Sequence, residues 1–525
     1  MPSASPLGAF SAYAAHKHND TARPGASFRA DASASTLKRL VDEDGAVVYK
    51  DTASDFVISI PHRDDKGQVD RTETWPLESE HVTAYMTHLF MSALENTEGY
   101  VPTLTRLNDA RRALWSEATM ARRQITTALR VAERDGFIYI DIGDDTRDVI
   151  EIGPGTWKIV PGDTRLADKG ILFRRIDGQR PYPRPVRDGD KPNAMIFRQL
   201  VPNVSDDDFK LLCGWMLQTF LSDRCDRVGL SITGGQGTGK TFLTEMLQAL
   251  TDPGELTSKP PEREADVAAV CADRRVFVAD NLTSIKSELS DTFCRIATGA
   301  TVSMRKLYTN AGTVSIRLHS SLIFNGIALQ LRRSDLAERV IQIELSPFEG
   351  GQRRTRSEMQ AAFDTLTPAL MRVICDALSA VLRYRNEISG VDHRMGDAVK
   401  AVAAAERAGV FPWEEGTFQR LLIASQKEAR LDVTADDPVM KAILAVARFD
   451  GEGTAEDIFR KMLEFSTPQE QRSLPDSPCS MGRAILRHEK DILDYGYKVD
   501  RRKTRAKRFF VFIPTEGCGN DEHSQ

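Results

Sequence analysis

Apolar positions along this chain change period several times, and each change marks an element. Helical spacing runs from His81 to Glu95 and from Asn108 to Glu133, so Trp75 to Arg134 reads as helical. Short strand-like runs follow: Phe137 to Ile142, Val149 to Ile152 and Trp157 to Val160, with Gly and Asp in the turns, which predicts a small β-meander. Pro181 to Pro185 and Asp188-Gly189-Asp190-Lys191-Pro192 read as a linker. A helical stretch, Asp206 to Leu221, leads to an apolar run, Val228 to Thr233, and then to helical spacing over Phe242 to Leu250. Three more apolar runs, Arg275 to Ala279, Ser321 to Phe324 and Val340 to Leu345, read as buried strands. Helices are predicted over Arg356 to Arg385 and Ala398 to Arg430. Near the end, Thr454 to Phe465 and Ser480 to Leu493 are helical patterns, followed by strands at Gly496 to Val499 and Phe509 to Ile513. Two helices and then a two-stranded hairpin is a winged-helix arrangement, related to helix-turn-helix readers of duplex DNA.

Composition narrows this little. At 525 residues, 41% hydrophobic and 28% charged, the chain has ample material for a core and room for several domains. The pattern predicts a multidomain α/β protein: a disordered tail over 1–36, rich in Ser, Ala and Gly, and an α+β accessory unit over 37–200. A nucleotide-binding core over 201–350, a helical lid and linker over 351–435, a winged helix over 436–514 and a loose tail over 515–525 complete it. No uninterrupted apolar run approaches the ~18 residues of a membrane span, and the first residues lack a signal peptide's basic and apolar regions. The expectation is a cytoplasmic protein with no membrane partner. Cys213, Cys225, Cys271, Cys294, Cys375, Cys479 and Cys518 are scattered with no C-x-x-C pair, which fits reduced thiols and argues against zinc. The net charge of −5 is uninformative, but Arg501, Arg502, Lys503, Arg505, Lys507 and Arg508 put six bases within eight positions.

The chemistry begins at Gly234-Gly235-Gln236-Gly237-Thr238-Gly239-Lys240-Thr241, which satisfies the phosphate-loop pattern G-x-x-x-x-G-K-[ST]. It sits between a predicted strand and a predicted helix, as a phosphate cradle requires. Glycines let backbone N–H groups wrap the β- and γ-phosphates, and the helix N-terminus adds a favourable field. Lys240 would neutralise phosphate charge and the Thr241 hydroxyl would ligate Mg²⁺. ATP and Mg²⁺ are therefore the expected cofactors. Asp280, ending the next apolar strand, would hold Mg²⁺; the alternative is a helix N-cap. Asn281 stands where a second acid is usual, and an amide orients water without taking its proton. The base stays unassigned among Glu262, Glu264 and Asp266. Asn325, ending another strand, is placed to hold the γ-phosphate or the attacking water. Arg339, just before the strand Val340 to Leu345, could reach a neighbour's nucleotide or simply pair with Glu338 or Asp335. Alternating runs around Asn310-Ala311-Gly312 predict a hairpin carrying Arg305, Lys306 and Tyr308, which offers cations and a stacking ring to single-stranded DNA, or only solvated charge. In the winged helix, Arg501, Arg502, Lys503, Arg505, Lys507 and Arg508 would contact phosphates, and Arg483, Arg487 and His488 would reach base edges. Asp141, Asp144 and Asp145 lie on a Gly-containing turn and read as solvated turn acids, not as a polymerase centre.

The motif order resembles the superfamily-3 helicases of the AAA+ class, in particular the helicase parts of poxvirus and phage-type primase-helicases and related ATPases of prophages and mobile islands. Gly234 to Thr241, Val276 to Leu282, Cys294 to Gly299, Arg305 to Thr309, Ile323 to Ile327 and Arg333 to Arg339 carry the resemblance. It implies an AAA+ core with a pre-sensor-1 hairpin, a homo-oligomeric ring, a hexamer, and ATP-driven translocation on single-stranded DNA in the pore. An Asp-Asn-Leu sequence looks usual in the mobile-element branch, so Asn281 does not imply a dead enzyme. Arg394, in Arg394-Met395-Gly396-Asp397, matches a recurring segment and would sense nucleotide from the lid. The expectation is an ATP-dependent DNA helicase that initiates replication of a phage or mobile element. The rivals are a remodelling or packaging ATPase without unwinding, and a non-hydrolysing DNA-binding oligomer locked by ATP.

Overall fold

The computed structural model describes residues 33–515 apart from 53–54, 94–100, 163–165, 168, 223–224, 256–260, 300, 306–312, 328, 330, 332, 351–352, 436 and 505–507. The expected tails therefore lie largely outside the described residues, as do Lys306, Tyr308, Arg505 and Lys507. The fold is mixed α/β, with several sheets and several separate apolar clusters.

The first cluster belongs to α1 (Ala34–Asp44), β1 (Val47–Asp51), β2 (Phe56–Arg63), β3 (Val69–Pro76), α2 (Glu80–Ala93), α3 (Leu104–Met120) and β4 (Gln124–Ile125). Ser33 caps α1 by accepting the Thr36 N–H, so a helix begins inside the segment expected to be a tail. The predicted helix over Asn108 to Glu133 stops at Met120. Arg122 takes φ 52 and Arg130 φ 62, left-handed conformations a helix cannot absorb, and Gln124 and Ile125 pair with β1 instead.

The predicted meander forms as β6 (Phe137–Asp141), β7 (Val149–Gly153) and β8 (Thr156–Val160), and it gains at its edge β5 (Val131–Arg134), which the helical reading includes; all pairs are antiparallel. Its inner face does not join the first cluster. Ile138, Ile140, Ile150 and Ile152 pack in one core with Trp215, Leu230, Leu247 and Leu378 further along the chain. Two of the three turn acids are paired rather than merely solvated: Asp141 is buried against Arg175 at 2.9 Å, and Asp144 accepts Arg184 at 2.5 Å, while Asp145 is exposed.

After α4 (Met195–Arg198) and α5 (Asp206–Gln218) comes the principal sheet. Along the chain its parts are β9 (Gly229–Gly234), α6 (Lys240–Thr251), α7 (Glu264–Asp273), β10 (Val276–Ala279), α8 (Ser287–Ala297), the antiparallel pair β11 (Thr301–Arg305) and β12 (Thr313–Arg317), β13 (Ser321–Asn325), α9 (Ser334–Ala337) and β14 (Val340–Leu345). The strand order is β10-β13-β9-β14, all parallel, so every strand's C-terminus lies on one edge.

α10 (Arg356–Tyr384) is long and apolar enough to span a bilayer by length and composition, yet Met371, Cys375 and Leu378 are buried in the main core. The single stretch predicted over Ala398 to Arg430 divides into α11 (Gly396–Arg407) and α12 (Thr417–Ala435). Gly409 (φ 69) and Gly416 (φ 84) turn the chain, and the Glu406 carboxylate accepts Trp413 Nε1–H and the Gly416 and Phe418 N–H groups to close the corner.

The last cluster holds α13 (Pro438–Phe449), β15 (Glu452–Thr454), α14 (Ala455–Phe465), α15 (Pro478–Arg487), α16 (Glu489–Asp494), β16 (Tyr497–Lys503) and β17 (Arg508–Pro514). Its sheet runs β15-β17-β16, antiparallel. The predicted helix Ser480 to Leu493 breaks at His488, whose Nδ1 lies 2.9 Å from Asp491.

Candidate functional site: the C-terminal edge of the parallel sheet

The loop between β9 and α6 is shaped by three glycines. Gly234 has φ 141, and a Cβ there would stand 2.7 Å from the Leu345 carbonyl on β14. Gly237 (φ 79) and Gly239 (φ 86) are left-handed, which other residues adopt only with strain. Gly239 caps α6 without any side-chain bond, so the first-turn N–H groups of the helix open toward the loop. Thr238 braces the turn, donating to the Gly235 carbonyl at 3.0 Å. Lys240 Nζ reaches back over the loop to the Gly234 and Gly235 carbonyls at 2.8 and 2.7 Å. Burial lowers the Lys240 pKa below its ordinary value, and the Asp280 carboxylate pulls it the other way. Thr241 is exposed at the start of the helix. An anion cradle with a lysine over it and a carboxylate in electrostatic range fits a phosphate–divalent-cation pair.

Asp280 and Asn325 lie on the same edge because β10, β13 and β9 are neighbours, with Ala279 opposite Phe324 and Asn325 opposite Ile232. Asp280 accepts its neighbour's N–H, Asn281 N, at 2.9 Å. Asn281 is exposed at φ 57, a conformation Asn tolerates better than most residues. Leu282 N–H donates to the Asn325 carbonyl at 2.8 Å, and a Cβ at Gly326 would collide with the Leu282 carbonyl, so these two strand tips are tied together. Asn325 is only 2% exposed, and its Nδ2 donates to Thr244 Oγ1 at 3.2 Å. Thr244 Oγ1 in turn donates to the Lys240 carbonyl at 3.0 Å. One N–H of the Asn325 amide thus holds the helix that carries Lys240.

Arg339 lies elsewhere. β14 runs parallel to β9 from Val340 beside Gly229 to Leu345 beside Gly234, so Arg339 marks the opposite, N-terminal edge. It is not a projecting side chain: it is 6% exposed, with Nη2 3.2 Å from Asp335. Its Nε and Nη1 are buried with no hydrogen-bond partner among the described residues. Arg394 also sits at this edge, 3.4 Å from Asp335 and 51% exposed. Arg394, expected to sense nucleotide from the lid, thus lies at the opposite end of the sheet from its own chain's phosphate loop.

Of the carboxylates considered as a base, Glu264 is held by Arg295 at 2.6 Å and Asp266 closes the N-terminal cap of α7 with Arg263. Glu262 lines a cleft with Asn281 and Lys286. Sequence reasoning missed Asn203, whose Nδ2 bridges the Thr238 and Ser346 carbonyls at 3.0 and 2.8 Å. It also missed Phe348 and Arg353, which flank Gly239 and Gly237; a Cβ at those glycines would stand 3.5 and 3.8 Å from them. Beside α6 a groove is lined by Phe242, Glu245, Gln248, Arg356, Gln360 and Phe363. Only the position of Phe242, directly after Thr241, could have signalled this groove.

Two further surfaces carry the remaining candidates. Arg305 ends β11, paired with Thr313. In the C-terminal unit, Arg501 lies opposite Phe510, and Lys503 opposite Arg508. Phe510 faces Gly482 of α15, so Arg501, Lys503 and Arg508 share the sheet face turned toward α15. Arg502, opposite Phe509, is on the other face. Arg483 and Arg487 are exposed on α15, whereas His488 is held in its Asp491 pair at the helix break.

Residues 203–412 match the sequence model of a family described as actinomycete integrative conjugative element replication protein, less than half of the chain. No curated protein matches. Among solved structures, the apo C-terminal region of NrS-1 aligns with 92% of this chain and 100% of its own at 12% identity and a TM-score of 0.39. A second apo structure of that region covers 91% and 98% at 11% identity, TM-score 0.40. JCV helicase aligns with 49% of this chain and 63% of its own at 14% identity, TM-score 0.25. Likenesses of this size establish neither a shared fold nor a shared activity.

Proposed function

We propose that the chain is an ATP-dependent DNA helicase or translocase of the AAA+ superfamily-3 type, acting in replication of a mobile genetic element. One observation carries the reading. The loop Gly234 to Thr241, Asp280 and Asn325 share the C-terminal edge of three adjacent parallel strands, and the Asn325 strand lies between the other two. The family match over 203–412 supports a replication role. The C-terminal helices with the β15-β17-β16 sheet support a winged helix, and the β11–β12 pair entering β13 supports a pre-sensor-1 hairpin.

Bound Mg²⁺ would supply charge neutralisation at the β- and γ-phosphates, and Thr241 and Asp280 are the residues to hold it. The amides of the glycine loop and of the first α6 turn bind and orient phosphate oxygens. Lys240 keeps its proton and shifts from the loop carbonyls to a phosphate oxygen. Asn325 positions the α6 helix through Thr244. Phe348, beside Gly239, offers the nucleoside an apolar contact at the loop, and a largely polar groove from Phe242 to Phe363 runs along α6. At the other edge Arg394, exposed next to buried Arg339, is the arginine a neighbouring copy would meet in a ring.

The test is ATP hydrolysis with and without single-stranded DNA, beside Lys240→Ala. DNA-stimulated turnover, lost by at least about 10²-fold in the variant, is expected. A second reading, a DNA-binding oligomer locked by ATP, is favoured by Asn281, an amide where a base is usual. ATP binding without turnover would select it. Strand displacement that depends on Lys306 would separate a helicase from a remodelling or packaging ATPase.

A further inference from the structure

The C-terminal unit has its own apolar cluster, and it meets the rest of the chain through an ion network beside the Tyr495 hydroxyl, which bonds Leu431 and Thr434 of α12. The contact is made by α16, the short helix between α15 and the β16–β17 hairpin. Lys490 and Asp494, four apart, lie on one face of it. Lys490 Nζ donates to Glu338 Oε1 at 2.8 Å. Asp494 Oδ2 accepts Arg430 Nη2 and Nε at 2.5 and 2.8 Å. Arg430, on α12 and 6% exposed, also places Nη1 3.6 Å from Glu338 Oε1. The Glu338 carbonyl accepts Gln426 Nε2–H at 2.6 Å. Glu338 is thus gripped by side chain and backbone, and the next residue is Arg339, at the edge it shares with Asp335 and Arg394.

Such a joint differs from apolar packing. Its parts are directional, and a small displacement of α16 lengthens specific ion pairs around a buried guanidinium rather than sliding a greasy surface. We propose that the Lys490–Glu338–Arg430–Asp494 network couples duplex DNA held by α15 and the hairpin to the Arg339–Asp335–Arg394 edge, so that DNA engagement sets the rate of ATP turnover between copies. α16 follows α15 with His488 alone between them, so force on the DNA-facing helix is transmitted directly. The Arg430 pair resists, and Glu338 moves with it. The proposal rests on the ATPase reading above. It adds which residues regulate that site and which ligand they answer to. Coupling of this kind needs contacts that differ between the DNA-bound and free states, and the ion network provides them.

The experiment measures ATP turnover with and without a DNA duplex, and duplex affinity, for the full chain and for Lys490→Ala, Lys490→Arg and Asp494→Asn. Stimulation by duplex in the unaltered chain is expected. Lys490→Ala and Asp494→Asn keep basal turnover and duplex affinity but lose at least about fivefold of the stimulation, and Lys490→Arg retains it. Equal stimulation in Lys490→Ala, or a fall in stimulation that only follows lost duplex affinity, overturns the coupling while leaving the ATPase standing. Absence of duplex stimulation in the unaltered chain overturns it too. No turnover at all in the unaltered chain overturns the ATPase reading and the coupling together. If Asp494→Asn does not fold, Lys490→Ala still decides, because that side chain is 61% exposed.

Discussion

At Gly234 the backbone adopts a φ that side-chain-bearing residues avoid, and β14 passes close by with the Leu345 carbonyl facing the missing Cβ. Gly234→Ala should strain the loop by ~1–3 kcal/mol; a loop that relaxes out of the cradle must recover that cost on binding, about a 5- to 150-fold loss of ATP affinity in titration calorimetry. Unchanged affinity would mean that the loop does not cradle phosphate. Glu73 offers a test of a different kind. Burial alone would raise its pKa, but the His62 ring 3.5 Å away and the Arg147 and Arg175 charges outweigh that and hold the carboxyl far below the usual glutamate range. A folded pKa below the unfolded one means stability that is full above the ordinary value of 4.5 and is lost as pH falls toward the folded value. Glu73→Gln should therefore cost on the order of 3 kcal/mol at neutral pH. Its melting-temperature deficit should shrink steadily below about pH 4; a deficit independent of pH would show that packing, not charge, sets the effect. Neither the Glu73–Arg147 contact nor the Asn203 bridge was legible beforehand, since each joins residues far apart in the chain.

Elements tell a mixed story. Strands β6–β8 of the meander and the four parallel strands were legible because short apolar runs bounded by glycine and acids have few alternative readings, whereas β5 reads as the end of a helix. The β1–β4 sheet was not, because its β2 strand is buried at five consecutive positions and its β3 strand is largely polar. The break between α11 and α12 is signalled locally by Gly409, Pro412 and Gly416, which the single-helix reading passes over; only the three donors that Glu406 collects to close the corner have no local pattern. In the C-terminal unit the two-residue alternation of the hairpin divides its cations between faces. Arg501→Ala, Lys503→Ala and Arg508→Ala, on the α15 side, should each reduce the slope of log affinity against log salt by about 0.9 for duplex DNA. Arg502→Ala should leave the slope nearer the starting value. Equal effects from all four would mean that the hairpin contacts DNA edge-on. Arg483→Ala should instead flatten the preference among duplex sequences, by about 1–3 kcal/mol at one base pair.

For the whole molecule the decisive relation is that the phosphate loop and the Arg339–Arg394 group occupy opposite ends of one sheet. A single chain cannot bring Arg339 or Arg394 to its own loop, whereas a neighbour in the proposed ring can. ATP with Mg²⁺ should then raise the mass measured by light scattering. Arg394→Ala should cut turnover by about 10³-fold while ATP affinity holds. Arg339→Ala should act first on stability, through the lost packing of a buried side chain, because the half-exposed Asp335 keeps Arg394 beside it. If Arg394→Ala turns over normally and Arg339→Ala is stable but inactive, the roles are reversed.

The sequence by itself determined the chemistry that is local: a glycine loop between strand and helix, apolar strands ending in Asp280 and Asn325, and a basic hairpin. These are contiguous in the chain because backbone conformation and side-chain period are set by neighbours. Tertiary structure alone decided what each side chain touches. It turned Asn325 onto Thr244, buried Arg339 on Asp335, moved Arg394 to the far edge and joined Glu338 to Lys490. A residue's partners depend on strand order and on which helix end meets which, and those follow from burying several apolar faces at once rather than from any one stretch of sequence.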